Sequence, residues 1–290
     1  MSRIAYVNGR YLTHRDAVVH VEDRGYQFSD GVYEVIAVQR GRLLDEEPHL
    51  DRLDRSLTEL RMRWPMSRAA LGMVMRQMIR RNRITDSGAL YLQITRGVAP
   101  RNHAFPLRSK PALVMTARRL PAFDLAAARR GVGVITAPDQ RWRRPDIKSI
   151  SLLANVLAKQ LAVEAGAFEA WLVEDDGTVS EGTSSNAWIV TADGELVTRQ
   201  ADTSILNGIT RSAVLRLAEE RDLRLVQRPF SVAEARAAVE AFVTSTTSWV
   251  KPVVRIDGVP VGQGVAGPLT LRLLDAYAAR AASGTSGGMR

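Results

Sequence analysis

The chain contains no cysteine, which excludes disulfides and thiolate metal sites. Histidine is scarce. His14, His20, His49 and His103 are scattered and form no HExxH or comparable metal-ligand cluster. No apolar run approaches the roughly 20 residues needed to span a bilayer. The start, "MSRIAYVNGRYL", has no apolar signal core, so a cytoplasmic protein with no membrane partner is expected. Lysine is nearly missing too. Of 40 basic residues only Lys110, Lys148, Lys159 and Lys251 are lysine, leaving 36 arginines (40 − 4). Where bulk positive charge is needed, arginine supplies it. A surviving lysine is therefore a candidate for what guanidinium cannot do, which is to lose a proton and act as an amine nucleophile.

What is present reads as an ordinary globular chain. Its 290 residues are 46% hydrophobic and 24% charged, enough for two modest domains with real cores. The net charge of +9 raises the question of nucleic acid. The arginines, however, are interleaved with acids, as in "EEPHLDRLDRSLTELRMR", and no RNA-binding aromatic motif or zinc knuckle accompanies them. Nucleic acid is not an expected partner, and anionic small molecules account for the balance more simply.

Local patterning predicts two α+β domains with mostly antiparallel sheets and flanking helices. "IAYVNGRYL" and "GVYEVIAVQRGRLLD" read as strands turning at Asn8-Gly9 and near Arg40-Gly41. Leu50, Leu53, Leu57 and Leu60 form one helical stripe, and a second helix follows in "SRAALGMVMRQMIRRN". The pattern restarts around "LPAFD". This predicts an N-terminal domain over 1–120, a linker over 121–124, a C-terminal domain over 125–283 and a flexible tail over 284–290. "GVGVITAP" is a poor phosphate loop, because it lies inside a strand-like run and lacks a third glycine. After Lys148, Leu153, Val156, Leu157 and Leu161 share one face of a helix.

Lys148 stands between an extended "PDI" and that helix. An amine nucleophile needs a carbonyl partner, and a carbonyl cofactor such as pyridoxal 5'-phosphate (PLP) is the natural candidate here. Such a site requires the lysine, a carboxylate at the pyridine nitrogen and a cradle for the phosphate. Glu181 in "TVSEGTSSN" suits the second, although taken alone it reads more readily as an exposed turn carboxylate. For the third, Gly208, Ile209 and Thr210 of "LNGITR" open a helix whose N–H groups and dipole favour an anion. Ser245, Thr246 and Thr247 of "TSTTS" gather hydroxyls, and Arg52, off the leucine stripe, can add a bidentate contact.

Taken together, "EDRGYQFSDGVYEV", "HLDRL", "TRGVAPRNHAFP", "DIKS", "NVLAKQ", "EGTSSN", "LNGITR" and "FVTSTTS" resemble the fold type IV PLP enzymes over nearly the whole chain, and among them the bacterial D-amino acid aminotransferases. The resemblance implies PLP as cofactor, bonded to Lys148, with Glu181 at its ring nitrogen. It adds Ser185 and Leu206 to Arg52, Gly208, Ile209, Thr210, Ser245, Thr246 and Thr247 as cofactor-binding residues. It implies that Arg101 and His103, in R-x-H spacing, form a substrate carboxylate trap with Tyr33. The R-x-H loop would come from the neighbouring subunit of a homodimer. Amino and 2-oxo acids are the implied substrates, with D-alanine and 2-oxoglutarate giving pyruvate and D-glutamate as the default pair.

Two residues depart from the resemblance. Ser29 stands where a glycine is usual, and Trp249 follows "STTS" where a smaller or acidic residue is usual. Trp249 is expected to narrow or reshape the side-chain pocket. Three other activities remain open on the same cofactor machinery: branched-chain L-aminotransferase, aminodeoxychorismate lyase and amine transaminase.

Overall fold

A computed structural model of the chain describes residues 3–283; the tail expected over 284–290 lies outside the described residues. The described chain forms two compact units. The first holds the chain to Phe123 together with Ile147–Ser151, and the second holds Asp124–Asp146 and Leu152–Ser283.

In the first unit, β1 (Ile4–Val7) and β2 (Arg10–Thr13) form a hairpin. Asn8 and Gly9 take φ of 47° and 95°, the left-handed pair that a two-residue hairpin loop requires. Helix α1 (Arg24–Phe28) ends on Ser29, whose φ of 56° explains why glycine would suit that position. Strands β3 (Gly31–Gln39) and β4 (Arg42–Leu43), helices α2 (Glu46–Glu59) and α3 (Arg68–Arg81), then β5 (Gly88–Thr95) and β6 (Ala112–Arg119) complete the unit. The sheet runs β2-β1-β6-β5-β3-β4 and every pair is antiparallel. Leu50, Leu53 and Leu57 of α2 are buried against it with Leu71, Met75 and Met78 of α3. Leu60 falls just past the end of α2 and is half-buried.

The second unit comprises α4 (Leu125–Arg129), β7 (Val132–Pro138), α5 (Leu153–Glu164), β8 (Glu169–Val173), β9 (Val179–Gly182), β10 (Asn186–Val190) and β11 (Leu196–Thr198). It continues through α6 (Ile209–Glu219), β12 (Leu225–Gln227), α7 (Val232–Ala237), β13 (Glu240–Ser245), β14 (Trp249–Ile256), β15 (Val259–Pro260) and α8 (Pro268–Ser283). The sheet order is β12-β11-β10-β13-β14-β7-β8-β9, with β15 beside β14. Three of its pairs, β14–β7, β7–β8 and β11–β12, are parallel; the rest are antiparallel. Helix α5 is the crossover between parallel β7 and β8, and it lays Ala158 and Ala162 against Ala137, Ala170 and Leu172. The leucine-rich face seen in the sequence is the outward one. Leu153, Val156, Leu157 and Leu161 are 72%, 58%, 55% and 50% exposed. Small alanines allow close approach to the sheet, so the larger residues are left outside.

Candidate active site

Lys148 belongs to a short extended segment that pairs with the start of β3. Tyr33 N–H donates to the Lys148 carbonyl at 3.0 Å, Ser149 bridges Val32, and Ile150 N–H donates to Gly31 at 3.1 Å. The Lys148 N–H donates to Ser56 Oγ on α2 at 3.3 Å. Its backbone is therefore held on both sides. Its amine lies 4.3 Å from the centroid of the Tyr33 ring, and no carboxylate among the described residues pairs with it. Lys159, by contrast, donates to the Phe168 carbonyl and lies 3.8 Å from Glu169. That lysine has a structural occupation.

The first unit also buries a hydrogen-bonded triad of Glu34, Arg52 and His49. Glu34, fully buried on β3, accepts from Arg52 Nε at 2.8 Å and Nη2 at 2.7 Å, and lies 2.8 Å from His49 Nδ1. The fork of Arg52 is thus turned onto Glu34. Burial alone would raise the Glu34 carboxyl, but the Arg52 charge and the hydrogen bonds outweigh it and hold it down to about 2. Burial also pushes His49 below its usual value, against the pull of Glu34. Glu34 stands inside the motif "EDRGYQFSDGVYEV", but nothing local marks it as the partner of Arg52.

Arg101 and His103 lie on the loop between β5 and β6, and both are exposed. They flank Phe28: the Arg101 guanidinium is 4.6 Å from the ring centroid and the His103 ring 5.2 Å away. Tyr33 lies elsewhere in the unit, against Tyr91 at 5.7 Å and Lys148. The loop is anchored from beneath. Asp30 accepts from Arg24 Nε and Arg96 Nε, each at 2.7 Å, and Arg24 donates onward to the carbonyls of Asn102 and His103. Burial opposes ionisation of Asp30, yet the two arginines hold its carboxyl below the ordinary range.

In the second unit, Glu181 ends β9 with its carboxylate buried. It accepts from Asn186 Nδ2 at 2.9 Å, from the Leu206 N–H at 3.2 Å and from Arg141 Nη1. Arg141 also grips Asp139 through Nε at 2.9 Å and Nη2 at 2.7 Å. Burial would lower the Arg141 pKa, but the two carboxylates raise it and keep it charged. Arg141 thus spans the two carboxylates, and the Arg211 guanidinium adds its charge close to Glu181. The run "PDQRWRRPD" gives no pattern for this pairing, which forms over 40 residues of chain.

The N-terminus of α6 fits an anion. Gly208 is its N-cap, no side chain caps it, no acid lies in its first turn, and Ile209 and Thr210 are buried. A buried helix start with free N–H groups calls for an external acceptor. A Cβ at Gly208 would sit 2.1 Å from Asn186 Oδ1, so only glycine admits this approach. Ser245 closes β13, and its hydroxyl accepts from Ser248 N–H at 3.2 Å across the turn holding Thr246 and Thr247. The Ser185 hydroxyl donates to the buried Glu169 at 3.0 Å. The Ser185 proton is thus spent on Glu169, whereas the start of α6, with the paired Glu181, fits a phosphorylated pyridine aldehyde such as PLP.

Two α+β units carrying an unpaired lysine, a buried carboxylate cluster and an uncapped helix start define a class. The chain belongs to the class IV aminotransferases, whose family profile matches residues 31–256. It is 44% identical to the D-alanine aminotransferase of Bacillus licheniformis over 264 residues, covering 91% of this chain and 92% of that one. It is 40% identical to the D-alanine aminotransferase of Staphylococcus haemolyticus over 276 residues, 94% and 95% of the two chains. Among solved structures, the branched-chain amino acid aminotransferase of Escherichia coli superposes at a TM-score of 0.89 with 25% identity, over 99% of this chain and 97% of that one.

Proposed function

We propose that the protein is a PLP-dependent D-amino acid aminotransferase, converting D-alanine and 2-oxoglutarate to pyruvate and D-glutamate. What carries the reading is the near-full-length similarity to D-alanine aminotransferases, together with a lysine amine that no carboxylate among the described residues neutralises. Lys148 would hold the cofactor, and Glu181 would keep the ring nitrogen protonated. Gly208, Ile209 and Thr210 would receive the phosphate through backbone N–H groups and the Thr210 hydroxyl. Ser185, Leu206, Ser245, Thr246, Thr247 and Arg52 would complete the binding set. Arg52 contributes there with its orientation set by Glu34.

Bound PLP supplies an electron-withdrawing ring that stabilises charge developing at the substrate Cα. Lys148, as a free amine, would take the substrate Cα proton as general base in one half-reaction and deliver a proton to Cα in the other. Its backbone tethers to Tyr33 and Ser56 fix where that amine starts. Arg101, His103 and Tyr33 would bind the α-carboxylate. In the protomer Arg101 and His103 lie exposed on Phe28, apart from Tyr33, which supports a homodimer in which the loop serves the partner's site. The outward apolar stripe of α5 supports association as well.

The test is the handedness of the amino donor. D-alanine with 2-oxoglutarate should give pyruvate, with L-leucine a far poorer donor. Preference for L-leucine would replace this reading with a branched-chain activity on the same fold.

A further inference from the structure

Trp249 occupies a place in the backbone that a bulky side chain avoids. It pairs with Ser245 across the three-residue turn of Thr246, Thr247 and Ser248, at a φ of 56°. The residue that follows the turn is left-handed here, a conformation that glycine adopts most readily. A tryptophan there is a conformational outlier, and it persists only where the surroundings over-determine it. The side chain is 7% exposed and packs against Tyr277 of α8, ring centroids 5.8 Å apart at 56°. The Tyr277 hydroxyl lies 3.5 Å from Thr210 Oγ1 in the first turn of α6, and Tyr277 and Thr210 are 1% and 3% exposed.

One residue thus bears on both stretches that the proposed function assigns to the phosphate, on the turn directly and on the start of α6 through Tyr277. Through its backbone Trp249 closes the turn carrying Ser245, Thr246 and Thr247. Through its ring it sets Tyr277, and Tyr277 sets Thr210. If the phenol donates to Thr210 Oγ1, the threonine keeps its own proton for a phosphate oxygen.

We infer that Trp249 is a positioning residue that locks the β13–β14 turn and the start of α6 into one phosphate cup, with Tyr277 as the link. This rests on reading the α6 N-terminus as the phosphate site. The apoenzyme should be titrated with PLP and with pyridoxal, which lacks the phosphate, in Trp249→Leu, Trp249→Phe, Tyr277→Phe, Thr210→Ala and Gly208→Ala. Trp249→Leu and Tyr277→Phe should each weaken PLP about threefold to tenfold, the range of one modest hydrogen bond, and leave pyridoxal unchanged. Trp249→Phe, which keeps the ring contact, should recover most of the PLP affinity. At saturating PLP, the ratio of kcat/KM for D-leucine and D-alanine should stay at the wild-type value.

Equal weakening of PLP and pyridoxal would reduce Trp249 to a merely structural residue. A changed substrate ratio with intact PLP affinity would make it a pocket wall. Either result overturns the inference. Thr210→Ala and Gly208→Ala separate the two levels: if Thr210→Ala leaves the PLP-to-pyridoxal ratio unchanged, the Tyr277–Thr210 link falls and this inference with it, and if Gly208→Ala also leaves it unchanged, the phosphate reading of α6 falls as well. If Thr210→Ala lowers that ratio while Tyr277→Phe and Trp249→Leu do not, the positioning role alone is lost. Tyr277→Phe decides the matter should Trp249→Leu fail to fold.

Discussion

At the scale of single residues, the contrast between Lys148 and Lys159 sets the sharpest expectation. Both are lysines in a chain of arginines, but Lys159 is occupied by the Phe168 carbonyl and Glu169, while the Lys148 amine rests on Tyr33. Lys148→Ala should abolish turnover and the borohydride-reducible bond to PLP, and Lys159→Ala should keep both. Peptide mapping after reduction checks the assignment, and a label on Lys159 would refute it. Glu34 makes a second case. Its carboxyl is held at about 2 against an ordinary 4.5, so its contribution to stability is full above pH 4.5 and is lost as the pH falls towards 2. The contribution is on the order of 3 kcal/mol at neutral pH. Glu34→Gln leaves Arg52 buried without its counter-charge, which should cost about 3 kcal/mol or more at pH 7. The variant should also show a flatter loss of stability between pH 4.5 and 2, read from denaturant midpoints across that window. An unchanged acid profile would show that Glu34 is not the group titrating there.

At the scale of elements, the loop between β5 and β6 depends on a small ionic anchor. Asp30 gathers Arg24 and Arg96, and Arg24 in turn holds the carbonyls of Asn102 and His103 that flank the proposed carboxylate receptor. A charge-assisted hydrogen bond is worth roughly 1.5–3 kcal/mol, so Arg101→Leu should lower kcat/KM for D-alanine about 10- to 150-fold. A primary amine without a carboxylate should lose little by comparison. Arg24→Met removes the anchor rather than the receptor, and it should reproduce the same selectivity at about tenfold or less. Parallel kinetics with both donors check this pair. Equal losses for the two donors would mean that the loop supports the fold and not the carboxylate.

At the scale of the whole molecule, the exposed positions of Arg101 and His103 predict sharing between subunits. In a mixed dimer of Lys148→Ala and Arg101→Leu chains, one site inherits both intact residues if the loop acts on the partner. Random reassociation makes half of the dimers mixed, so activity should return to about a quarter of wild type. If the loop served its own subunit, each site would lack one residue and mixing would restore nothing. Size-exclusion chromatography with light scattering establishes the dimer independently.

The sequence by itself determined what local chemistry and periodicity can carry. Turn residues such as Asn8-Gly9, the leucine stripe of α2 and the start of α6 were legible because their signals lie within a few residues. The class of protein was legible as a resemblance, carried by short motifs such as "EGTSSN" and "LNGITR", each of them local. Tertiary structure decided the rest. It alone showed that the Lys148 segment packs with the first unit, that Arg141 reaches Glu181, that Glu34 claims the fork of Arg52, and that Trp249 turns onto Tyr277. It also turned the apolar stripe of α5 outward, because the alanine face packs more closely on β7 and β8. Each of these depends on which distant side chains share a buried volume. Periodicity records that a helix has an apolar face, but burial follows from the shape of the surface that meets it.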